Sequence, residues 1–168
     1  MKKRLSRILA EEERGVLSII RSLRGLLRKL RAGHGPAGYM RKLEIVHETL
    51  RRFHEEMVQH AGLEERVLFP FIEKHIPRLE TVTGFLRDEH DSLRNQLRAI
   101  QSTMKKLRAA KTAAARAVAI KAMSEASGHL FYRLMHHART ENELIHRILD
   151  RELHPYEKKA LRDKMRGG

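Results

Sequence analysis

The stretch His60-Ala61-Gly62-Leu63-Glu64-Glu65-Arg66-Val67-Leu68-Phe69-Pro70 decides how this chain is read. His60 and Glu64 are four residues apart, so on a helix they stack on one face. That face is apolar: Val46, Leu50, Phe53, Met57, His60, Glu64, Val67 and Phe71 succeed one another at steps of three or four. An imidazole and a carboxylate turned into a core need partners, because burying either without one is costly. The pattern recurs in His137-Ala138-Arg139-Thr140-Glu141. Two inward His-x-x-x-Glu pairs point to a metal.

Outward from this stretch the whole chain reads as helix. A first helix is predicted over 5–30, with the stripe Leu9, Glu13, Val16, Ile20, Leu23, Leu27, Leu30, and Ile19 and Leu26 widening it. Its other face is basic, with Arg14, Arg21, Arg24, Arg28, Lys29 and Arg31. Gly33-His34-Gly35-Pro36-Ala37-Gly38 is the clearest loop. The second helix is expected over 39–69, with Pro70 kinking or ending it. A turn follows over 73–77, where Ile76, preceding Pro77, should leave the helical region. The third helix, starting at 79 or 83 and ending at 108, has the stripe Leu86, His90, Leu93, Leu97, Ile100, Met104, Leu107. The fourth begins after the candidate N-cap Thr112 and runs to 149, with Leu130, Leu134, His137, Glu141, Leu144 and Ile148 inward and His136 outward. A short basic tail helix is placed over 156–165.

Four long helices with brief connections predict an all-α, antiparallel up-down-up-down four-helix bundle with a short C-terminal helix. The length of 168 residues fits one domain over 1–168, with a core at about 5–151 and a basic tail at 152–168. The composition, 41% hydrophobic and 33% charged, indicates a folded chain. Cysteine is absent, which excludes disulfides, thiol catalysis, iron–sulfur clusters and Cys-type zinc sites. Any metal must be held by His, Asp or Glu. Met1-Lys2-Lys3-Arg4-Leu5-Ser6-Arg7 is followed by no apolar run, so a signal peptide is not expected. No segment is long and apolar enough to span a membrane, and a cytoplasmic location is expected. The net charge of +14 would attract nucleic acid or an anionic surface. No nucleic-acid module can be named, and a solvated basic surface is the favoured account of the charge.

The polar residues interrupting the stripes fall at matching depths. Glu64 lies thirteen residues before Pro77 and His90 thirteen after it. Glu13 lies 20 residues before Gly33, and His60 22 after Gly38. At about 1.5 Å rise per residue, offsets of a few residues amount to about one turn. Glu13, His60, Glu64, His90, His137 and Glu141 are therefore expected to converge at one level, towards the end that holds the Pro77 turn. Taken singly, each has a plainer explanation: a hydrogen-bonded core histidine, a self-paired His–Glu contact, or a carboxylate near a helix start. Three imidazoles and three carboxylates together in an apolar bundle call for compensating cations.

These residues carry a resemblance. His60-x-x-x-Glu64-Glu65 followed by Val67-Leu68-Phe69-Pro70, then Asp88-Glu89-His90, then His137-x-x-x-Glu141, resembles the hemerythrin-like HHE cation-binding family. The resemblance covers about 5–149. It implies a four-helix bundle holding a carboxylate-bridged pair of iron ions, with His60, His90 and His137 as terminal ligands and Glu64 and Glu141 as bridges. Glu13 stands where the family has its first-helix histidine. The resulting set is rich in carboxylate, which argues against reversible oxygen carriage and admits manganese or zinc.

The resemblance implies a non-haem dinuclear metal protein that binds or senses oxygen, nitric oxide, peroxide or a related species, working with a redox or regulatory protein partner. An oxidase, peroxidase or iron-handling enzyme is the alternative that the carboxylate-rich set motivates. A basic polyanion-binding module with a structural metal site is the alternative that the charge motivates.

Overall fold

The computed structural model describes residues 5–31 and 36–167. Residues 1–4, 32–35 and 168 lie outside the described residues, and with them the Gly33, His34 and Gly35 part of the predicted loop. Within them the chain is an all-helical bundle without strands. The elements are α1 (Leu5–Arg31), α2 (Pro36–Leu63), α3 (Phe69–His75), α4 (Glu80–Ala109), α5 (Ala113–Glu141), α6 (Arg147–Glu152) and α7 (Pro155–Gly167). A five-residue π turn, Glu64–Leu68, joins α2 to α3, and a second, Asn142–His146, joins α5 to α6. A 3-10 turn, Pro77–Leu79, precedes α4. The helix α1 packs against α2 and α5, and α4 packs chiefly against α5 and more lightly against α2.

Several boundaries follow from local chemistry. Thr112 caps α5, its Oγ1 accepting the Ala115 N–H at 3.1 Å. Ile76, at φ −138° and ψ 69°, leaves the helical region before Pro77, as a pre-proline residue should. Two expected boundaries are corrected. The predicted loop over 33–38 extends too far, because Pro36, Ala37 and Gly38 already belong to α2; proline suits the first helical turn, where its missing N–H is no loss. Pro70 does not end the helix. The π turn shifts the hydrogen-bond ladder immediately before it, the Phe69 N–H reaching Glu64 O, and Pro70 sits in the opening turn of α3.

The π turns also correct the inward stripes. Each inserts one extra residue per turn, so positions four and five beyond a site carboxylate both face inward. After Glu64 these are Leu68 and Phe69, followed by Ile72. After Glu141 they are Ile145 and His146, followed by Leu149. Leu144, expected inward, is 43% exposed, and Val67 and Ile148 are only partly buried.

The apolar interior is in two parts. The larger includes Val16, Ile20, Phe53, Met57, Leu93, Leu97, Leu130 and Leu134. The smaller includes Leu9, Leu68, Phe69, Ile72, Leu86, Ile145, Leu149 and Leu161. In α1 Glu13 falls between Leu9 of the smaller part and Val16 of the larger. His90 falls likewise between Leu86 and Leu93, and His137 and Glu141 between Leu134 and Ile145. A polar layer thus separates two apolar layers. The helix α7 belongs to the smaller layer: Leu161 is fully buried, and His75 Nδ1 lies 2.9 Å from Glu157 Oε1. The segment read as a basic tail is therefore docked along part of its length.

Candidate metal centre

The polar layer draws one side chain from α1, two from the end of α2 and the turn after it, one from α4, and two from α5. Glu13, Glu64, His90, His137 and Glu141 are buried, and the His60 side chain is 8% exposed. The structure therefore brings together all six residues singled out in the sequence. It adds a seventh, His146, which is fully buried.

Their donor atoms form three overlapping groups, each with its atoms within 4.8 Å of one another. Glu64, His90 and His137 form one group, His60, Glu64 and Glu141 a second, and Glu13, Glu141 and His146 a third. Glu64 belongs to the first two and Glu141 to the last two. The layer thus has two ends, one at His90 and His137 and the other at Glu13 and His146, with Glu64 and Glu141 lying between them.

Hydrogen bonds fix the orientation of two of the imidazoles. His90 Nδ1 lies 2.8 Å from Glu65 Oε1, which also accepts from Arg94 at 2.6 Å. His137 Nδ1 lies 3.0 Å from Glu89 Oε2. A carboxylate on Nδ1 places the proton there and leaves Nε2 as a lone-pair donor. The two Nε2 atoms then face each other at 3.2 Å, and His90 Nε2 is 3.1 Å from Glu64 Oε2. Phe69 stacks on His90 with ring centroids 5.8 Å apart, and the Arg87 guanidinium covers Phe69 from 5.3 Å. Packing and hydrogen bonding thus both hold the His90 ring.

The other end has few partners of its own. Neither carboxylate oxygen of Glu141 and neither ring nitrogen of His146 makes a hydrogen bond, and Glu13 Oε1 and His60 Nδ1 also lack one. The closest approaches are His60 Nε2 to Glu64 Oε1 at 3.2 Å and His146 Nε2 to Glu141 Oε1 at 3.5 Å. Polar atoms this deeply buried are normally satisfied, since leaving one unpaired costs about 1–3 kcal/mol, and more for a charge. Donors converging with their lone pairs unmet fit a cation.

The electrostatics agree. Burial, and next the neighbouring Glu141 carboxylate, push Glu13 up to about 9. Burial alone would also raise Glu141, but the His146 and Glu64 side chains, with the fields of His146 and His60, hold it well below the usual carboxylate range. One carboxyl of this pair is therefore protonated and the other ionised. Burial, followed by His137, lowers His90 to about 4 against the pull of Glu65. Burial also lowers His60. Neutral imidazoles beside carboxylates are the protonation state that metal ligation needs.

His146 escaped the sequence reading because a regular helix puts a residue five positions beyond Glu141 well around the barrel. The π turn restores it to the same face. The burial of Ile145 and Leu149, one residue out of step with the assumed Leu144 and Ile148, records that shift in the structure. Glu65 and Glu89 were also passed over as supports, although each adjoins a candidate ligand in sequence. His136 points outward as expected, with its side chain 59% exposed.

Residues 4–149 match a family model described as Hemerythrin HHE cation binding domain. No curated protein matches the chain significantly.

Proposed function

The chain belongs to the hemerythrin HHE cation-binding family, and on that premise we propose that its buried polar layer holds a pair of metal ions, iron foremost. In this reading His90 and His137 serve one position, and Glu13 and His146 the other. Glu64 and Glu141 are shared between them, and His60 completes the set. The observation that carries it is the pair of imidazole Nε2 atoms 3.2 Å apart, each with its Nδ1 on a carboxylate. Two such lone pairs repel unless a cation lies between or beside them. We also read the four long helices as one antiparallel up-down-up-down domain, placed in the cytoplasm. Among the described residues no helix is long and apolar enough to cross a membrane.

Iron, when bound, would supply one-electron chemistry and a coordination position for dioxygen, nitric oxide or peroxide. The protein's own residues do the rest. Glu65 and Glu89 hold the His90 and His137 rings in the ligating tautomer. The apolar layers on both sides exclude water and keep the field of the carboxylates unscreened. Glu13 holds a proton that it would release on ligation. Binding or sensing of a small oxygen- or nitrogen-containing species is the function these features favour.

Purified protein from iron-supplemented growth should contain two irons per chain and change its absorption spectrum on adding dioxygen, nitric oxide or peroxide. Protein purified without chelators that contains no iron, manganese or zinc would sink this reading. A second reading, an oxidase or peroxidase, is favoured by the three buried carboxylates, which suit higher oxidation states. Multiple turnovers of peroxide or of ferrous iron with oxygen would select it, and stoichiometric binding without turnover would reject it.

A further inference from the structure

The helices α2 and α4 pack on each other only lightly, and a cleft of about 550 Å³ opens between them. That volume falls within the range of about 300–1,000 Å³ usual for small-molecule sites. Leu50 of α2 and Met104 of α4, both buried, form an apolar floor. The half-buried side chains of His47, His54 and Gln101 surround it. His54 Nδ1 is buried without a hydrogen-bond partner. The cleft is separate from the polar layer: its lining residues His54 and Arg98 stand six residues from His60 and eight from His90.

The rim is cationic, and both walls contribute. Arg51 of α2 and Arg98, Lys105 and Arg108 of α4 are exposed there. Two of the four are compensated: Arg51 pairs with Glu48 and Glu55, and Arg108 lies 3.4 Å from Glu44. These are exposed pairs, which contribute little and compete weakly with a bound anion. The other two are not compensated. Arg98 donates to the Asn95 side-chain oxygen and, like Lys105, has no carboxylate partner among the described residues. They stand seven residues apart, two turns along one face of α4.

We infer that the cleft binds a phosphorylated small molecule with a flat aromatic body, the nucleotide class, with its phosphates on the rim and its body over the floor. Guanidinium forks match phosphate oxygens bidentately, and Lys105 adds a point charge. Arg98 and Arg108 are ten residues apart, about 15 Å along α4, which leaves room for more than one phosphate. The imidazoles of His47 and His54 offer stacking surfaces to a planar base. The Gln101 amide and the unmet His54 Nδ1 offer hydrogen bonds to its edge. Leu50 and Met104 shield it from water. A polyanion lying across the surface would meet the rim and leave this floor unused. The inference does not rest on the metal-centre reading.

The test is equilibrium dialysis of the full chain against radiolabelled adenosine diphosphate at about 0.15 M salt, where long-range attraction is screened. One molecule should bind per chain. Arg98→Gln and Lys105→Gln should each weaken binding about tenfold, the loss of one charge-assisted hydrogen bond. Arg52→Gln removes the same charge from an exposed position outside the cleft and should leave binding within about twofold of the parent. Circular dichroism confirms that the variants stay folded. No binding by the parent, or equal weakening in all three variants, overturns the site. Pyrophosphate that binds as tightly as adenosine diphosphate would show that the floor adds nothing. A single-stranded oligonucleotide that binds and is not displaced by adenosine diphosphate would assign the rim to a polyanion. Either result overturns the proposal.

Discussion

His90 and His137 turn their Nε2 atoms towards each other across 3.2 Å, while Glu65 and Glu89 occupy the far side of each ring. This arrangement spends two carboxylates on orienting two neutral imidazoles, which a purely structural core would not need. Those carboxylates should therefore matter to metal binding more than to folding. Glu65→Ala and Glu89→Ala are each expected to weaken metal affinity by about 10–100-fold. Competition with a chromophoric chelator measures this, with circular dichroism to confirm that the helices persist. Unchanged affinity in both variants would detach the carboxylates from the site.

His146 gives a sharper expectation, because it stands at the end of the layer away from His90. His146→Ala should reduce the metal content from two ions per chain towards one. His136→Ala, at an exposed ring adjoining the site in sequence, should leave it at two. Elemental analysis after equilibrium loading decides the matter. Equal losses in the two variants would argue against a role for His146.

These two histidines show how far the sequence could be read. The spacing His60-x-x-x-Glu64 and the recurrence at His137 located the layer, and distances from the turns put six residues at one depth. All six are gathered there in the structure. The helix ends at Ile76 and Thr112 were also legible, because pre-proline geometry and side-chain capping are local effects. The π turns were not legible. A single inserted residue leaves propensity untouched and changes only which side chains face inward, which is a tertiary outcome. That is why Leu144 was expected inward and is exposed, and why His146 was missed. The docking of α7 was hidden for a similar reason: Leu161 and Met165 are isolated large aliphatic residues in a charged helix, and their burial depends on the small layer they meet.

Protons should report on the Glu13–Glu141 pair. The Glu13 carboxyl, pushed up to about 9 by burial and Glu141, is protonated at pH 7 and must ionise to ligate. Metal binding at pH 7 should release about one proton per chain from this group, and Glu13→Gln should abolish that release. A pH indicator in weakly buffered solution reads it directly.

The same shift has a consequence for the metal-free protein. A carboxyl with a raised folded-state value binds more protons folded than unfolded. Its contribution is therefore fully present below pH 4.5 and is lost as pH rises towards about 9. The depressed His60 and His90 make stability rise with pH below about 6.5, so the Glu13 contribution is read as a difference: in urea unfolding of the metal-free protein the parent should lose stability relative to Glu13→Gln as pH rises from 4.5 towards about 9. A parent and variant with identical pH dependence would contradict the assignment.

The helix α7 should be part of the fold and not an appendage. Leu161→Ala removes a fully buried side chain from the smaller apolar layer and should cost about 2–5 kcal/mol in urea unfolding. A change within about 0.5 kcal/mol, typical of surface positions, would mean that α7 is not docked in solution.

The central claim, that one layer of buried His and Glu side chains holds two metal ions, is tested most directly by anomalous scattering at the iron edge from crystals of iron-loaded protein. The account predicts two peaks in the layer, one bound by His90 and His137 and the other by Glu13 and His146, with Glu64 and Glu141 reaching both. A crystal of metal-replete protein with no peak in this layer, or with the metal elsewhere on the chain, would contradict it.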